Sequence, residues 1–399
     1  MTSTGEFAEE IDRITVAELR SRGGAKWTEC GPEGMGAFIA EMDFGTAPAV
    51  EEALLDVIRR KDYGYLADRT VGEMSQACAD WQRTAYGWEV DPERIMPLPD
   101  VLRGLQAAIT VFSRPGSPLI VPTPAYMPFL YIPRYLGRDV IQVPMAANGN
   151  GRPVMDLAGL DEAFAAGGHL LVLCNPCNPV GRVYTPEELE AIAAVVERHG
   201  GRVFADEVHA PLVYPGHRHI AYASVSAAAA AHSITATSVS KGWNLPGLKC
   251  AQLILSSDAD AEAWARHGFL QELGVSTIGV RASIAAYRAG GDWLADVTRY
   301  LDGSRSLAAS LIARHLPGVR YVPPEGTYMA WLDCRRLNLE PGPGEFFRER
   351  AGVLATDGAE CGDAGRGFLR LNFAAPRPVL KEMIARMGAA AARRDCTRP

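Results

Sequence analysis

Short apolar runs recur through the middle of the chain, each followed by a polar turn and then by a stretch with helical period. Residues 170–174 read Leu-Leu-Val-Leu-Cys, a continuous apolar run of strand length. Thr185 then offers a capping hydroxyl, Pro186 takes the first helical position, and Glu187 and Glu188 put negative charge in the first turn. Leu189, Ile192, Ala193 and Val196 recur on one helical face, and Gly200-Gly201 ends the helix. A second strand-like run, 202–205, follows at once. Strands separated by helices of this length predict parallel βαβ units, and such sheets bind ligands at the carboxyl ends of their strands. Asn178, Asp206 and Lys241 each fall just past such an end, so the pattern places three reactive side chains on one rim. A further strand-like run, Cys250 to Leu255, follows the lysine. The last third changes character: Tyr321-Val322 and Tyr328 to Leu332 predict strands, and Pro378 to Arg394 predicts a terminal helix with an Ala-rich face. The Ala227–Ala231 run reads as a surface helix end.

A length of 399 residues allows two domains, and 48% hydrophobic with 22% charged residues is the composition of a soluble globular protein. The net charge of −7 argues against nucleic acid as the main partner, because phosphate binding needs a basic face. The first residues carry no basic stretch followed by an apolar one, and no window approaches ~18 uninterrupted apolar residues. These features predict a cytoplasmic protein with no membrane contact. Of eight cysteines, only Cys174 and Cys177 are paired as C-x-x-C; without a second pair at zinc spacing, they predict neither a metal site nor a redox site. His217-Arg218-His219, in a Pro-Gly loop, reads as solvated surface. Gly149-Asn150-Gly151 is a polar turn lacking the strand-to-helix context of a dinucleotide site. No internal repeat is evident.

The chemistry concentrates in 238–249, Ser-Val-Ser-Lys-Gly-Trp-Asn-Leu-Pro-Gly-Leu-Lys. A lysine between small hydroxyl residues can condense with an aldehyde cofactor, while Ser238, Ser240 and Lys249 supply donors and charge for a cofactor phosphate. Upstream lie Asn-Pro-Cys-Asn-Pro-Val-Gly at 175–181 and Asp-Glu-Val-His at 206–209. A carboxylate at a strand end is suited to holding a proton on a pyridine nitrogen, as Asp206 is placed to do. The amides of Val101 and Leu102, opening a helix after Asp100, fit a phosphate cradle.

In order and spacing these three motifs resemble the fold-type I pyridoxal phosphate enzymes of the aminotransferase class I/II superfamily. Within that superfamily the chain is similar to the MalY/PatB group of cystathionine β-lyase-like C–S lyases, from about residue 26 to residue 377. The likeness includes Lys26-Trp27, Ala40-Glu41-Met42-Asp43-Phe44, Tyr63-Gly64-Tyr65, Asp100 to Gly104, Thr123 to Phe129, Glu325-Gly326-Thr327-Tyr328 and Arg370-Leu371-Asn372. His209 stands where most aminotransferases of the class carry Tyr. The resemblance implies an α/β fold-type I architecture: an N-terminal arm over 1–45 that joins the small domain, a large cofactor domain with a mostly parallel sheet over 46–285, and a small α+β domain over 286–399. It implies pyridoxal 5′-phosphate on Lys241, Asn178 and His209 beside its phenolic oxygen, Tyr126 stacked on the ring, and Arg370 forked onto the substrate α-carboxylate. Tyr65 matches a residue that reaches the neighbouring subunit's phosphate, which implies a homodimer with shared sites. Many close relatives carry His in place of Cys177, a departure at a position that is usually structural. The implied reaction is β-elimination from an S-substituted cysteine to thiol, pyruvate and ammonia. An aminotransferase would use the same residues, and a tailoring enzyme that decarboxylates or oxidatively deaminates a bulky cysteine conjugate is a third possibility. A cofactor-binding regulator is disfavoured by the acidic charge and by the lack of a helix-turn-helix extension before residue 26.

Overall fold

Seven strands form the central sheet of the computed structural model, which describes residues 4–395. In chain order they are β1 (Ile95–Leu98), β2 (Leu119–Thr123), β3 (Val140–Pro144), β4 (Leu170–Cys174), β5 (Arg202–Asp206), β6 (Ser233–Thr237) and β7 (Ala251–Leu255). Their spatial order is β1-β7-β6-β5-β4-β2-β3. The pairs from β6 through β5, β4 and β2 to β3 are parallel, whereas β7 runs antiparallel to both of its neighbours. Every residue of β2, β4, β6 and β7 is buried, which explains the unbroken apolar runs: a sheet covered on both faces has no polar side to alternate with.

The helix after β4 is the one its sequence predicts. Pro186–Arg198 starts with a reciprocal capping box between Thr185 and Glu188 and buries Leu189, Ile192, Ala193, Val195 and Val196. This crossover delivers β5 in register beside β4, with Cys174 opposite Asp206, and β6 follows with Ala236 opposite Asp206. The ends of three neighbouring strands are thereby aligned.

A second sheet of four strands lies in the C-terminal third: β8 (Arg320–Tyr321), β9 (Met329–Asp333), β10 (Thr356–Asp357) and β11 (Phe368–Asn372), in the order β8-β9-β11-β10. The terminal helix Arg377–Asp395 packs on the long helix Gly291–His315. Its buried stripe is Val379, Leu380, Met383, Ile384, Met387 and Ala390, so large apolar side chains rather than alanines do most of the packing. No helix among the described residues is long and apolar enough to cross a membrane.

Tyr126 lies in the loop between β2 and the helix Pro128–Tyr135. Two local expectations need correction. Residues Ala227–His232 form a short helix of their own, capped by the Ser226 hydroxyl and buried at Ala229. His219 is not solvated: its Nε2 sits 3.1 Å from Glu207 Oε2 in the interior, with the ring edge-on to Tyr86. A buried carboxylate that needs a partner pulls this histidine inward, a demand invisible in a Pro-Gly loop sequence.

Candidate active site

The aligned strand ends open into a cavity of about 170 Å³ whose walls include Ala40, Asp100, Val101, Leu102, Tyr126, Asn178, Asp206, His209, Ser238, Ser240, Lys241 and Lys249. Ten of the twelve side chains and amides predicted from sequence therefore share one hollow. Asp206 is the last residue of β5, and one of its oxygens accepts the Val208 N–H at 3.1 Å. Lys241 lies in the short helix Val239–Gly242 after β6, and its Nζ donates to the Ala40 carbonyl at 2.7 Å.

Burial sets the electrostatics. It pushes the Asp206 carboxyl up to about 7; the Val208 N–H and Lys241 oppose the rise, and Glu207 adds to it. It pulls the Lys241 amine down to about 8, helped by the Arg370 charge and opposed by Asp206 and Glu41. His209 is lowered to about 3 by burial, with Lys241 and Arg370 contributing, so its ring is neutral near pH 7. Its Nδ1 has no hydrogen-bond partner among the described residues, and the ring meets Tyr328 edge-on. Tyr126, raised to about 12 by burial, stays a phenol.

Arg370 stands just outside the cavity wall on β11. It is 2% exposed, yet every acceptor around it is neutral. Nη1 donates to Asn178 Oδ1 at 3.1 Å, and Nη2 donates to the Phe38 carbonyl at 2.6 Å and to Thr356 Oγ1 at 3.0 Å; Nε has no partner. A buried cation is costly unless an anion faces it, and no described carboxylate hydrogen-bonds this guanidinium, which suits it to a negative ligand.

Other groups lining the cavity suit a phosphate. The first amides of a helix have no partner inside it, and Asp100 caps only that of Arg103, which leaves those of Val101 and Leu102. Ser240 also lines the cavity, and Lys249, in a left-handed turn, holds its Nζ 3.0 Å from Asp100 Oδ2. Ser238 differs from its expected part. Its hydroxyl donates to the Cys250 carbonyl at 2.8 Å and accepts the Ser240 N–H at 3.0 Å, so it shapes the loop. Phosphate donors, a carboxylate and a lysine lining one cavity, with the guanidinium of Arg370 bonded to its wall at Asn178, fit pyridoxal phosphate with an amino-acid substrate.

Tyr65 is fully exposed at the surface, away from the cavity. Conversely, sequence reading overlooked the roles of 37–44, an irregular segment that lends the Phe38 and Ala40 carbonyls to the site. It also gave Tyr328 no role, although its hydroxyl donates to the same Ala40 oxygen at 2.9 Å. The Glu-Gly-Thr-Tyr motif was the available signal for that tyrosine. No side-chain pattern marks a main-chain acceptor.

Comparison with known proteins agrees with this geometry. The chain is 37% identical over 375 residues to the cystathionine beta-lyase of Corynebacterium glutamicum, covering 93% of this chain and 98% of that one. It is 32% identical to protein MalY of Escherichia coli, over 87% and 89% of the two chains. A solved structure from Corynebacterium diphtheriae, assigned as a PLP-dependent beta-cystathionase, superposes with a TM-score of 0.90 at 41% identity, covering 95% of this chain and 98% of its own. The family model for aminotransferase class I and II matches residues 38–387, and the chain belongs to that family.

Proposed function

We propose that this protein is a pyridoxal phosphate-dependent C–S β-lyase that converts an S-substituted L-cysteine to thiol, pyruvate and ammonia. The observation that carries the amino-acid substrate is Arg370, a buried guanidinium without an anion beside Lys241 and Asp206. The likeness to cystathionine beta-lyases supports the choice of reaction.

When bound, the cofactor supplies an electron sink for the carbanion at the substrate Cα. Asp206 would hold a proton on the ring nitrogen, whose positive charge would keep the carboxylate ionised. Arg370 takes the α-carboxylate through its planar pair of donors, fixing the Cα–H near Lys241. Lys241, whose amine burial holds below its ordinary range, would remove that proton. Neutral His209 and Asn178 would hold the phenolic oxygen, and Tyr126 would stack on the ring. A thiolate departs from Cβ, and water completes the release of pyruvate and ammonia.

The protein works as a cytoplasmic homodimer in this reading. Tyr65 and Tyr63 are exposed, as are Phe269, Leu270 and Leu273, an apolar set that a second copy would cover. All seven described cysteines are free thiols, the state a reducing compartment maintains.

Incubation with cystathionine and no keto-acid acceptor tests the reaction. Equal amounts of thiol and pyruvate are expected. Amino transfer to keto acids with no thiol from cysteine conjugates would replace this reading with an aminotransferase, and carbon dioxide release would replace it with a decarboxylating enzyme.

A further inference from the structure

The segment 37–44 forms neither helix nor strand, yet its main chain is fixed by side chains from distant parts of the chain. Arg370 holds the Phe38 oxygen, Asn372 Nδ2 holds those of Ile39 and Glu41 at 2.7 Å each, and Lys241 and Tyr328 share that of Ala40. Asn244, three residues after the lysine, accepts the Met42 N–H at 2.8 Å and donates to the Met42 and Gly45 oxygens at 2.9 Å. The far end of the segment is anchored differently. Asp43 is 4% exposed; its Oδ2 lies 3.0 Å from Lys26 Nζ, itself 0% exposed, and its Oδ1 accepts from Trp27 Nε1 at 2.7 Å. Lysine is almost never fully buried unless paired. A buried ion pair adds little stability over an apolar core, but its two-donor grip fixes one geometry.

We infer that Lys26, Asp43 and Trp27 are positioning residues of the active site: their shared carboxylate grip sets the segment so that Ala40 receives the amine of Lys241 and Phe38 receives Arg370. Neither Lys26 nor Asp43 lines the cavity. They act through the main chain between them and the site. The inference deepens the lyase reading, because a lysine that leaves the cofactor during turnover needs a fixed acceptor, and here the free amine rests on Ala40.

The charged groups acting on Lys241 are Arg370, Asp206 and Glu41, and those around Asp43 are Lys26 and Arg22. Displacing the segment would have two opposed effects on the Lys241 amine. Loss of the Ala40 acceptor lowers its proton affinity, while entry of water raises it. Burial is the largest cause holding that amine near 8, so the second effect wins.

The test uses the full-length protein stripped of pyridoxal phosphate. Trace acetylation over a pH series, read at the Lys241 peptide by mass spectrometry, gives the titration midpoint of the amine. Asp43→Asn should raise that midpoint by about 1 pH unit. Trp27→Phe removes one donor and keeps the ion pair and most of the packing; it should give a smaller rise and keeps the test open if Asp43→Asn folds poorly. In the loaded enzyme, KM for an S-substituted cysteine should rise several-fold as Arg370 loses its fixed rest on Phe38. A lowered melting temperature with a midpoint that is unmoved or lower would show the trio to be merely structural and overturn the inference. The midpoint is read without substrate, so it stands or falls separately from the lyase assignment.

Discussion

Replacing Asp206 with Asn should make the cofactor-free protein more stable while crippling the enzyme. The buried carboxyl is raised from 3.8 to about 7. Below about pH 4 it is protonated in both folded and unfolded chains and contributes nothing. Between there and about 7 the folded chain binds a proton that the unfolded chain does not, so stability falls as pH rises. Above that window the full cost stands. About 3 pH units at 1.36 kcal/mol each is on the order of 4 kcal/mol. Asparagine keeps the shape and an oxygen for the Val208 N–H but carries no charge. Urea unfolding of the stripped protein should therefore favour Asp206→Asn by up to about 4 kcal/mol near pH 8, with the advantage vanishing near pH 4. The loaded variant should turn over more slowly by on the order of 10² or more, the scale of a lost preorganised electrostatic contact. Equal stability of the two proteins at every pH would refute the account of the raised carboxyl. Wild-type rates in the variant would refute its catalytic role.

Three further outcomes follow from the same geometry. Arg370→Lys keeps the charge and loses the fork, so kcat/KM should drop by about two decades, the equivalent of roughly 3 kcal/mol of charge-assisted contact; a variant that still prefers the amino acid over its methyl ester as strongly as wild type would exclude Arg370 from the carboxylate. Because burial lowers the Lys241 amine to about 8, trace acetylation of that amine in the stripped protein should rise with pH through that region and level off above it, and a midpoint near 10.5 would refute the account of its burial. Mixing inactive Tyr65→Phe and Lys241→Ala protomers should restore activity if Tyr65 serves the neighbouring site, since heterodimers would carry one intact site; heterodimers that form without activity would count against sharing.

Much of this site was legible because chain order alone set it. The strand-like runs at 170–174 and 202–205, the capping box at Thr185 and the short crossover bring Cys174 and Asp206 side by side, and the residues at those ends reach the rim. The same logic did not reach β7. Periodicity gives a strand but no direction, and only its pairing with Thr237 and Leu98 shows that it opposes the sheet. Lys26 and Asp43 were read only as part of a family likeness, since charged residues in loops ordinarily lie in solvent. Their burial depends on each other across sixteen intervening residues, and neither signals the other locally. The Ala40 carbonyl is harder still, because a main-chain oxygen has no residue identity to read.

The site also shows why such residues resist prediction from stability arguments. Lys241 and Arg370 are cations with only neutral hydrogen-bond partners, and Asp206 is a carboxylate held above its ordinary range. Each is costly for the empty protein, and a pairing of Asp206 with either cation would relieve part of that cost. The fold prevents it by giving the cations other partners: the Ala40 oxygen for the lysine, and Asn178, Thr356 and the Phe38 oxygen for the arginine. Charges kept apart in this way remain available for a phosphate-bearing ring and an amino-acid carboxylate. The irregular segment 37–44 supplies two of those partners, so a stretch without helix or strand carries a share of the site's electrostatics.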